Sequence, residues 1–589
     1  MAKMSVPYKR PKDTKGTLRR MLSYLSAYKY LLLLAIVLSF CSSYLSLLGP
    51  RYAGAAINEA DAGVGQVNMD AVFYYAKRML IVYVSSSLLS VFISVVMTSL
   101  SKWIARKMRR DVFDKLMRLP VGYFHHMTAG DIISRVSYDV DVVSTCIATD
   151  VTQIMTSLVT VVGAFIMMVT LSPALSVIVV ITIPISIGYT VRMRKKVRPR
   201  YSRRSRSYGS LNGFVEEMLS GQKTIQAYAY EDTVCQRFDG VNTEAAEAYY
   251  DAEYYGCSIG PTMNFINNLS LALIAMVGSI FYMSGAAALD QISSFVLYSR
   301  KFAGPINEIS NIINELFSAL SAAERVFTLL DEPEEIADAP DAQALENVQG
   351  HVQLAHVNFG YDPGKTILHD LSMEAQPGKL IAIVGPTGAG KTTIINLLMR
   401  FYDVDQGAIL VDGTDIRRAT RSSVRGAYAM VLQDTWVFSG TFFENIAYGK
   451  ENATREEVER AAKAARIHPF IMRLPQGYDT VISEDGGNIS KGQKQLLTIA
   501  RAMLYDAKML ILDEATSNVD TGTERQVQRA MRELMAGKTC FVIAHRLSTI
   551  RNADHILVVE HGDVVEQGAH DALMARQGVY YRLYAAQFE

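Results

Sequence analysis

The sequence predicts a multi-domain membrane protein. An all-α domain of six membrane-spanning helices, with long cytosolic helical extensions, precedes an α/β domain built around a phosphate-binding loop. Three observations predict this. Apolar runs of about 20 residues, the length that crosses a bilayer core, crowd the first half of the chain. Basic blocks interrupt those runs. From about Glu346 the pattern becomes that of a soluble α/β domain, with a glycine-rich loop set between an apolar run and a helical pattern.

Bulk composition agrees. Of 589 residues, 50% are hydrophobic and 20% charged, against about 25% charged in an average soluble chain. Such a chain buries apolar surface readily, which excludes general disorder. A formal net charge of +1 leaves no global basic field to attract nucleic acid. The five cysteines, Cys41, Cys146, Cys235, Cys257 and Cys540, are scattered without ligand spacing. That argues against a disulfide scaffold and against a zinc site.

The predicted spans run approximately 30–48, 79–100, 151–171, 174–191, 265–283 and 291–313. The fifth contains Asn267 and Asn268. The sixth is the weakest by hydropathy, because Arg300, Lys301, Asn307 and Glu308 lie in it. Residues 1–29 form an N-terminal cytosolic segment, 30–320 the membrane domain, 321–345 a linker and 346–589 the soluble domain. The basic stretch from Lys3 to Arg20 is long, and no small-residue cleavage site follows the first apolar run, so it is not read as a signal peptide.

Lys and Arg set the orientation. Six of them, from Lys9 to Arg20, precede the first span, and Lys102, Arg106, Lys107, Arg109 and Arg110 follow the second. A third block, from Arg192 to Arg206, follows the fourth span. The turns after spans three and five are nearly neutral. Both termini and the soluble domain are therefore expected in the cytosol of a plasma-membrane protein. A nucleic-acid patch is the other reading of the third block, but the block abuts a span on the expected side. The segments Lys102–Ile147 and Arg192–Tyr255 have few Gly or Pro. They read as helices continuing out of the membrane, rigid enough to carry motion.

In the soluble domain, the apolar run Leu380–Val384 leads into Gly385-Pro386-Thr387-Gly388-Ala389-Gly390-Lys391-Thr392-Thr393 and then a helical pattern. This is G-x-x-x-x-G-K-[ST] in its strand–loop–helix context. The glycines let backbone N–H groups approach phosphate oxygens, and the helix N-terminus adds partial positive charge. Lys391 is placed to reach the terminal phosphates of ATP, and Thr392 to ligate Mg²⁺. A second apolar run, Met509–Leu512, ends in Asp513-Glu514. An acidic pair leaving an apolar strand is costly without a role. Asp513 suits the metal, and Glu514 a base that polarises the attacking water. Ser490 and Gln493 have capping-box spacing at the head of a helical run, which explains both residues structurally. The same capped end offers a second phosphate-binding surface.

The order of Tyr361, the phosphate loop, Gln433, Ile489-Ser490-Lys491-Gly492-Gln493, Leu512-Asp513-Glu514, Ser517-Asn518-Val519-Asp520 and His545 resembles the nucleotide-binding domain of ATP-binding cassette (ABC) transporters. Gly130-Asp131 to Arg135 with Asp139 and Asp141, and Val215-Glu216-Glu217 through Gly221 to Glu231, are similar to the two intracellular loops of ABC exporters. The whole chain resembles one half of an exporter. The resemblance implies that Tyr361 stacks on adenine, although a tyrosine in a strand more often belongs to a core. It implies that Gln433 touches Mg²⁺ and that His545 bonds the γ-phosphate, although a histidine taken alone is more often structural. Asp520 would lie between paired ATPase domains, and Glu484 would meet the intracellular loops. Ser490, Lys491, Gly492 and Gln493 would cover the nucleotide of a second subunit.

The family segment is usually L-S-G-G-Q, and here Lys491 replaces its first glycine. A cation in the first turn of a helix opposes the macrodipole by about 0.3–1 kcal/mol. A homodimer would carry that change in both sites and a heterodimer in one. The reading favours a heterodimer, like one branch of bacterial multidrug exporters. The alternative is a homodimer in which the ammonium aids phosphate binding. ATP-driven export of a drug-like, lipid or other amphipathic compound is the expected activity. A lipid flippase, an importer on the exporter fold and a non-transport ABC ATPase are the other readings. In the sixth span Arg300, Gly304, Asn307, Asn311 and Asn314 share one helical stripe. Arg300, Asn307, Asn311 and Asn314 are expected to line the substrate path, because intramembrane polar groups face a bundle interior or water.

Overall fold

The computed structural model describes residues 13–61, 67–362, 364–432, 435–483, 487–513, 521–544 and 550–588; of 306–311, 314, 521, 587 and 588 only the backbone is described. The chain divides into two units. One holds the residues up to Leu119 with Met127–Glu334, the other Pro120–His126 with Glu335–Glu589.

In the first unit six helices follow the apolar runs: α1 (Lys29–Ala60), α2 (Met69–Leu116), α3 (Val151–Leu171), α4 (Pro173–Ser220), α5 (Ile259–Met283) and α6 (Leu289–Asp331). Among the described residues, the helical stretches holding α1 to α5 are long and apolar enough to cross a membrane. Their outward faces carry exposed Leu33, Val37, Leu88 and Val91, as a lipid-facing surface requires. With no hydrophobic drive between helices in lipid, small polar groups hold them. Ser42 and Ser86 each donate to the other's backbone carbonyl, at 3.0 and 2.9 Å.

Hydropathy alone does not mark α6, but its 43 residues are ample, and one of its charges has a structural cause. Pro50 lies inside α1 and lacks the N–H that would bond the Ser46 carbonyl. Lys301 Nζ donates to that carbonyl at 2.9 Å. Tyr298 Oη donates to Leu47 O at 2.6 Å and Ser294 Oγ to Pro50 O at 3.1 Å. Lys301 thus satisfies a carbonyl that a proline has freed, the condition for such backbone in a membrane, and Tyr298 and Ser294 bond carbonyls beside it.

Helices α2 and α4 continue past their apolar runs to Leu116 and Ser220, as expected, and each extension then turns back. Leu119-Pro120 follows α2 closely, and the residue before proline disfavours helix. The chain turns through the short helix Val121–His126 and continues from Ala129. Likewise α4 ends at Gly221, a short helix spans Gln222–Ala227, and Glu231–Cys257 returns. The returning helix packs antiparallel on α4, with Arg204 bonded to Glu253 at 2.5 Å and Ser207 to Glu244 at 3.4 Å. Asp139 is 1% exposed and takes a bidentate bond from Arg325, Nε at 2.9 Å. That pair ties α6 to the first extension.

The expected linker, 321–345, spans the end of one unit and the start of the other. Helix α6 continues to Asp331, and the second unit begins at Glu335. Glu335 pairs with Arg425, Asp338 accepts from Arg421 N at 3.0 Å, and Gln343 N donates to Arg418 O at 3.1 Å.

The second unit has two main sheets. Strands β1 (Val352–Phe359), β2 (Leu368–Ala375), β4 (Gln406–Val411) and β5 (Thr414–Asp415) form an antiparallel sheet in the order β2-β1-β4-β5. Strands β3 (Leu380–Val384), β6 (Tyr428–Val431), β9 (Met509–Asp513), β10 (Thr539–Ile543), β11 (His555–Glu560) and β12 (Asp563–Gly568) form the other, in the order β12-β11-β3-β10-β9-β6. It is parallel apart from β12. A small pair, β7 (Gly440–Thr441) with β8 (Val481–Ile482), stands apart. β3, β9 and β10 are buried almost throughout, as parallel strands covered on both faces must be. That is why they read as unbroken apolar runs.

One buried ionic cluster carries a prediction. Asp403 accepts from Arg400 Nε at 3.0 Å and Arg421 at 2.6 Å, and both arginine side chains are under 10% exposed. Burial pushes the Asp403 carboxyl up, but the two arginines together more than reverse this and leave it below the usual carboxylate range. Its contribution is therefore present above the ordinary aspartate value of about 3.9 and is lost as pH falls through the lower folded value. Asp403→Ala is expected to destabilise this unit by about 3–5 kcal/mol, because it strands buried guanidinium charge. Thermal unfolding of the detergent-solubilised chain at pH 7 checks this, and an unchanged melting temperature rejects it.

Candidate functional site: a phosphate loop, a capped helix and a membrane cavity

The phosphate loop leaves the C-terminal end of β3, between β10 and β11, where ligands bind in open α/β sheets. Gly385 has φ +155°, and a Cβ there would lie 2.1 Å from the Val559 carbonyl oxygen. Gly390 has φ +105°, and a Cβ would lie 2.8 Å from Leu368 Cδ2. Both positions require glycine. Pro386, Thr387 and Gly388 are exposed, and Ala389 is buried beneath them. Helix α7 (Lys391–Leu398) begins at once, so its first N–H groups face the loop.

Lys391 Nζ donates to the carbonyls of Gly385 at 2.7 Å and Pro386 at 2.9 Å. The ammonium is thus held over the loop. Burial lowers its pKa, and the nearby Asp513 carboxylate draws it part of the way back. Asp513 closes β9, which pairs with β10, itself the neighbour of β3. Loop and carboxylate therefore stand two strands apart, about 10 Å, with Lys391 extending between. Thr392 is exposed at the first turn, whereas Thr393 is 5% exposed. Tyr361 Oη donates to Thr393 Oγ1 at 3.3 Å and accepts from Asn396 Nδ2 at 2.9 Å. Tyr361 is 36% exposed and so leaves ring surface beside the loop. Thr393 supports Tyr361 from below.

Helix α8 (Lys491–Tyr505) starts with the capping box the spacing predicts. Gln493 N donates to Ser490 Oγ at 3.3 Å, and Ser490 N donates to Gln493 Oε1 at 2.8 Å. Lys491 stands exposed in the first turn, and Gly492 is buried. Gln433, Glu484, Glu514, Asp520 and His545 lie outside the described residues.

Sequence reasoning missed Tyr402. It meets Tyr361 edge-on at 5.0 Å, and its hydroxyl lies 3.1 Å from His125 Nδ1. The helix Val121–His126, which interrupts the first extension, is thereby fastened beside the Tyr361 aromatic group. No short motif marks this, because the two partners are 277 residues apart.

In the first unit a cavity of about 240 Å³ opens between α4, α5 and α6. Arg300 and Gly304 line it, as their shared stripe predicts, and so does Phe302, which lies off that stripe. Asn267 and Asn268 line it from α5. Asn307, Asn311 and Asn314 lie on α6, and their side chains are outside the described set. The asparagine pair is visible in the sequence as a dip in hydropathy, but its proximity to Arg300 needs the packing of two helices.

A family model described as ABC transporter transmembrane region matches residues 32–306, and one described as ABC transporter matches residues 368–517. The chain is 42% identical over 578 residues to the ABC transporter ATP-binding protein YfiC of Bacillus subtilis, covering 98% of this chain and 95% of that one. The chain belongs to the ABC transporters. The transporter is also similar to the fatty acid ABC transporter ATP-binding/permease protein of Mycobacterium bovis, 45% identical over 81% of this chain and 75% of the relative. Among solved structures, that of a bacterial Atm1-family ABC exporter with ATP bound matches with a TM-score of 0.76 at 29% identity, over 98% of this chain and 99% of that one. The transporter is thus a multi-pass exporter half. It binds ATP and couples its hydrolysis to transport.

Proposed function

We propose that this chain is one subunit of a heterodimeric exporter that moves an amphipathic compound, lipid-like or drug-like, out across the plasma membrane. Lys491 carries the heterodimer reading. Its helix start is intact, with both capping bonds made, so the fold does not need a lysine at this exposed position. The same chain keeps its own loop, Lys391, Thr392 and Asp513. One complete half-site and one altered covering surface divide the labour between two unlike subunits.

Two ATPase domains set head to tail bring each capped helix over the other's loop. ATP favours that closed pair through its higher affinity for it. In the loop, Lys391 and the α7 N-terminus hold the β- and γ-phosphates. Thr392 and Asp513 carry hard oxygen donors suited to Mg²⁺, joined by Gln433 in the family pattern. Bound there, the metal would supply positive charge that offsets the charge developing on the phosphate oxygens. Glu514 orients the attacking water, His545 bonds the γ-phosphate, and Asp520 lies between the paired domains. The positive-inside pattern supports cytoplasmic termini. An amphipathic cargo is supported by the named activity of the mycobacterial relative and by a polar cavity with apolar walls in the membrane unit.

Purification of this chain expressed alone tests the pairing. Little ATPase activity is expected without a partner subunit. A stable homodimer with substantial, substrate-stimulated ATPase would reject the heterodimer and favour two lysine-bearing sites.

A further inference from the structure

Every charged group on α6 invites the question of what satisfies it. Lys301 answers a carbonyl freed by Pro50. Arg300, its neighbour, does not: among the described residues its guanidinium has no hydrogen-bond or ion-pair partner. Neither do the side-chain amides of half-buried Asn267 and exposed Asn268. All three line one cavity. By contrast Thr182 and Ser270, in the same wall, bond each other at 3.2 Å. Arg300 lies about 17 Å along α6 from Leu289, and the asparagines about 23 Å along α5 from Met283. Both depths fall within a hydrocarbon core about 30 Å thick. Unmet polar groups are expensive there and mark a function.

We infer that this cavity is the head-group site for a long-chain monocarboxylate anion. The inference rests on the export reading for its use and adds the chemistry of the cargo. The site offers one cation, so a monoanion is neutralised while a multiply charged phosphate head would leave charge unpaired at membrane depth. The guanidinium fork matches a carboxylate in two parallel bonds, and the two amides can donate to the remaining lone pairs. A carboxylate carries one chain, which Val179, Leu271 and Phe302 can receive. A phosphodiester carries two substituents, and both would have to leave the same pocket.

Equilibrium binding to the full-length transporter in nanodiscs, without ATP, tests this. The probe is a fluorescent polyene fatty acid, with its methyl ester as the uncharged control. Saturable binding of the acid at least about tenfold tighter than of the ester is expected, as for a hydrogen bond to a charged group. Arg300→Gln should bring the acid down to the ester's level without weakening the ester, and Arg300→Lys should hold the acid within about threefold. If Arg300→Gln does not fold, Asn267→Ala with Asn268→Ala is expected to weaken the acid at least about threefold. Equal binding of acid and ester, or equal effects of the substitution on both, overturns the site. Competition by phosphatidylglycerol as strong as by oleate overturns the carboxylate assignment. Because binding is read without turnover, these failures leave export standing. Absence of ATP-driven flux of any cargo, with acid binding intact, would reject export and keep the site.

Discussion

Lys391→Ala is expected to lower ATP turnover by about 100- to 1,000-fold, the loss typical when one preorganised donor to developing charge is removed. The side chain is the cation of the phosphate loop, held over it by bonds to the Gly385 and Pro386 carbonyls. Burial disfavours its charge and Asp513 restores part of it, so a terminal phosphate arriving at the loop meets an ammonium with little competing solvation. Alanine removes the cation without touching the positive-φ glycines that shape the cradle. Phosphate release from the purified transporter, with ATP affinity measured in parallel, checks both halves. Turnover within threefold of the parent, in a variant with unchanged melting temperature, would place the phosphate-binding charge elsewhere.

The second large effect is asymmetric. Glu514→Gln in this chain should reduce hydrolysis by about 100- to 10,000-fold, the range of general-base catalysis, while ATP still binds and the closed pair accumulates. The amide keeps the shape and loses the carboxylate that orients water. In the heterodimer the equivalent change in the partner should cost little, because that site is covered by the segment carrying Lys491. Equal losses from the two substitutions would reject the division of labour, and near-normal turnover in the first would place the base elsewhere.

The ATPase unit was the more legible of the two. A phosphate loop works through contiguous backbone, so its glycines, lysine and threonine announce themselves by spacing. The capping box of α8 is equally local: Ser490 and Gln493 bond each other's backbone within one turn. Buried parallel strands leave unbroken apolar runs, and β3 and β9 were found that way. In the extensions, few Gly or Pro implied helices continuing past the spans, and α2 and α4 do so. The points where the chain turns back, after Leu119-Pro120 and Gly221, needed the packing of the returning helix on α4.

The sequence by itself determined the apolar spans, the glycine-rich loop and the capped helix. Each follows from hydropathy, from motif spacing or from bonds between near neighbours. Tertiary structure alone decided what the isolated polar residues are for. Lys301 and Arg300 are adjacent and look alike in sequence, but one meets the Ser46 carbonyl on α1 and the other faces a cavity with Asn267 and Asn268 on α5. It also decided that Arg421 closes on Asp403, and that His125 reaches Tyr402. In each case the partner comes from a different element, so the packing of those elements, not residue spacing, brings the groups within bonding distance.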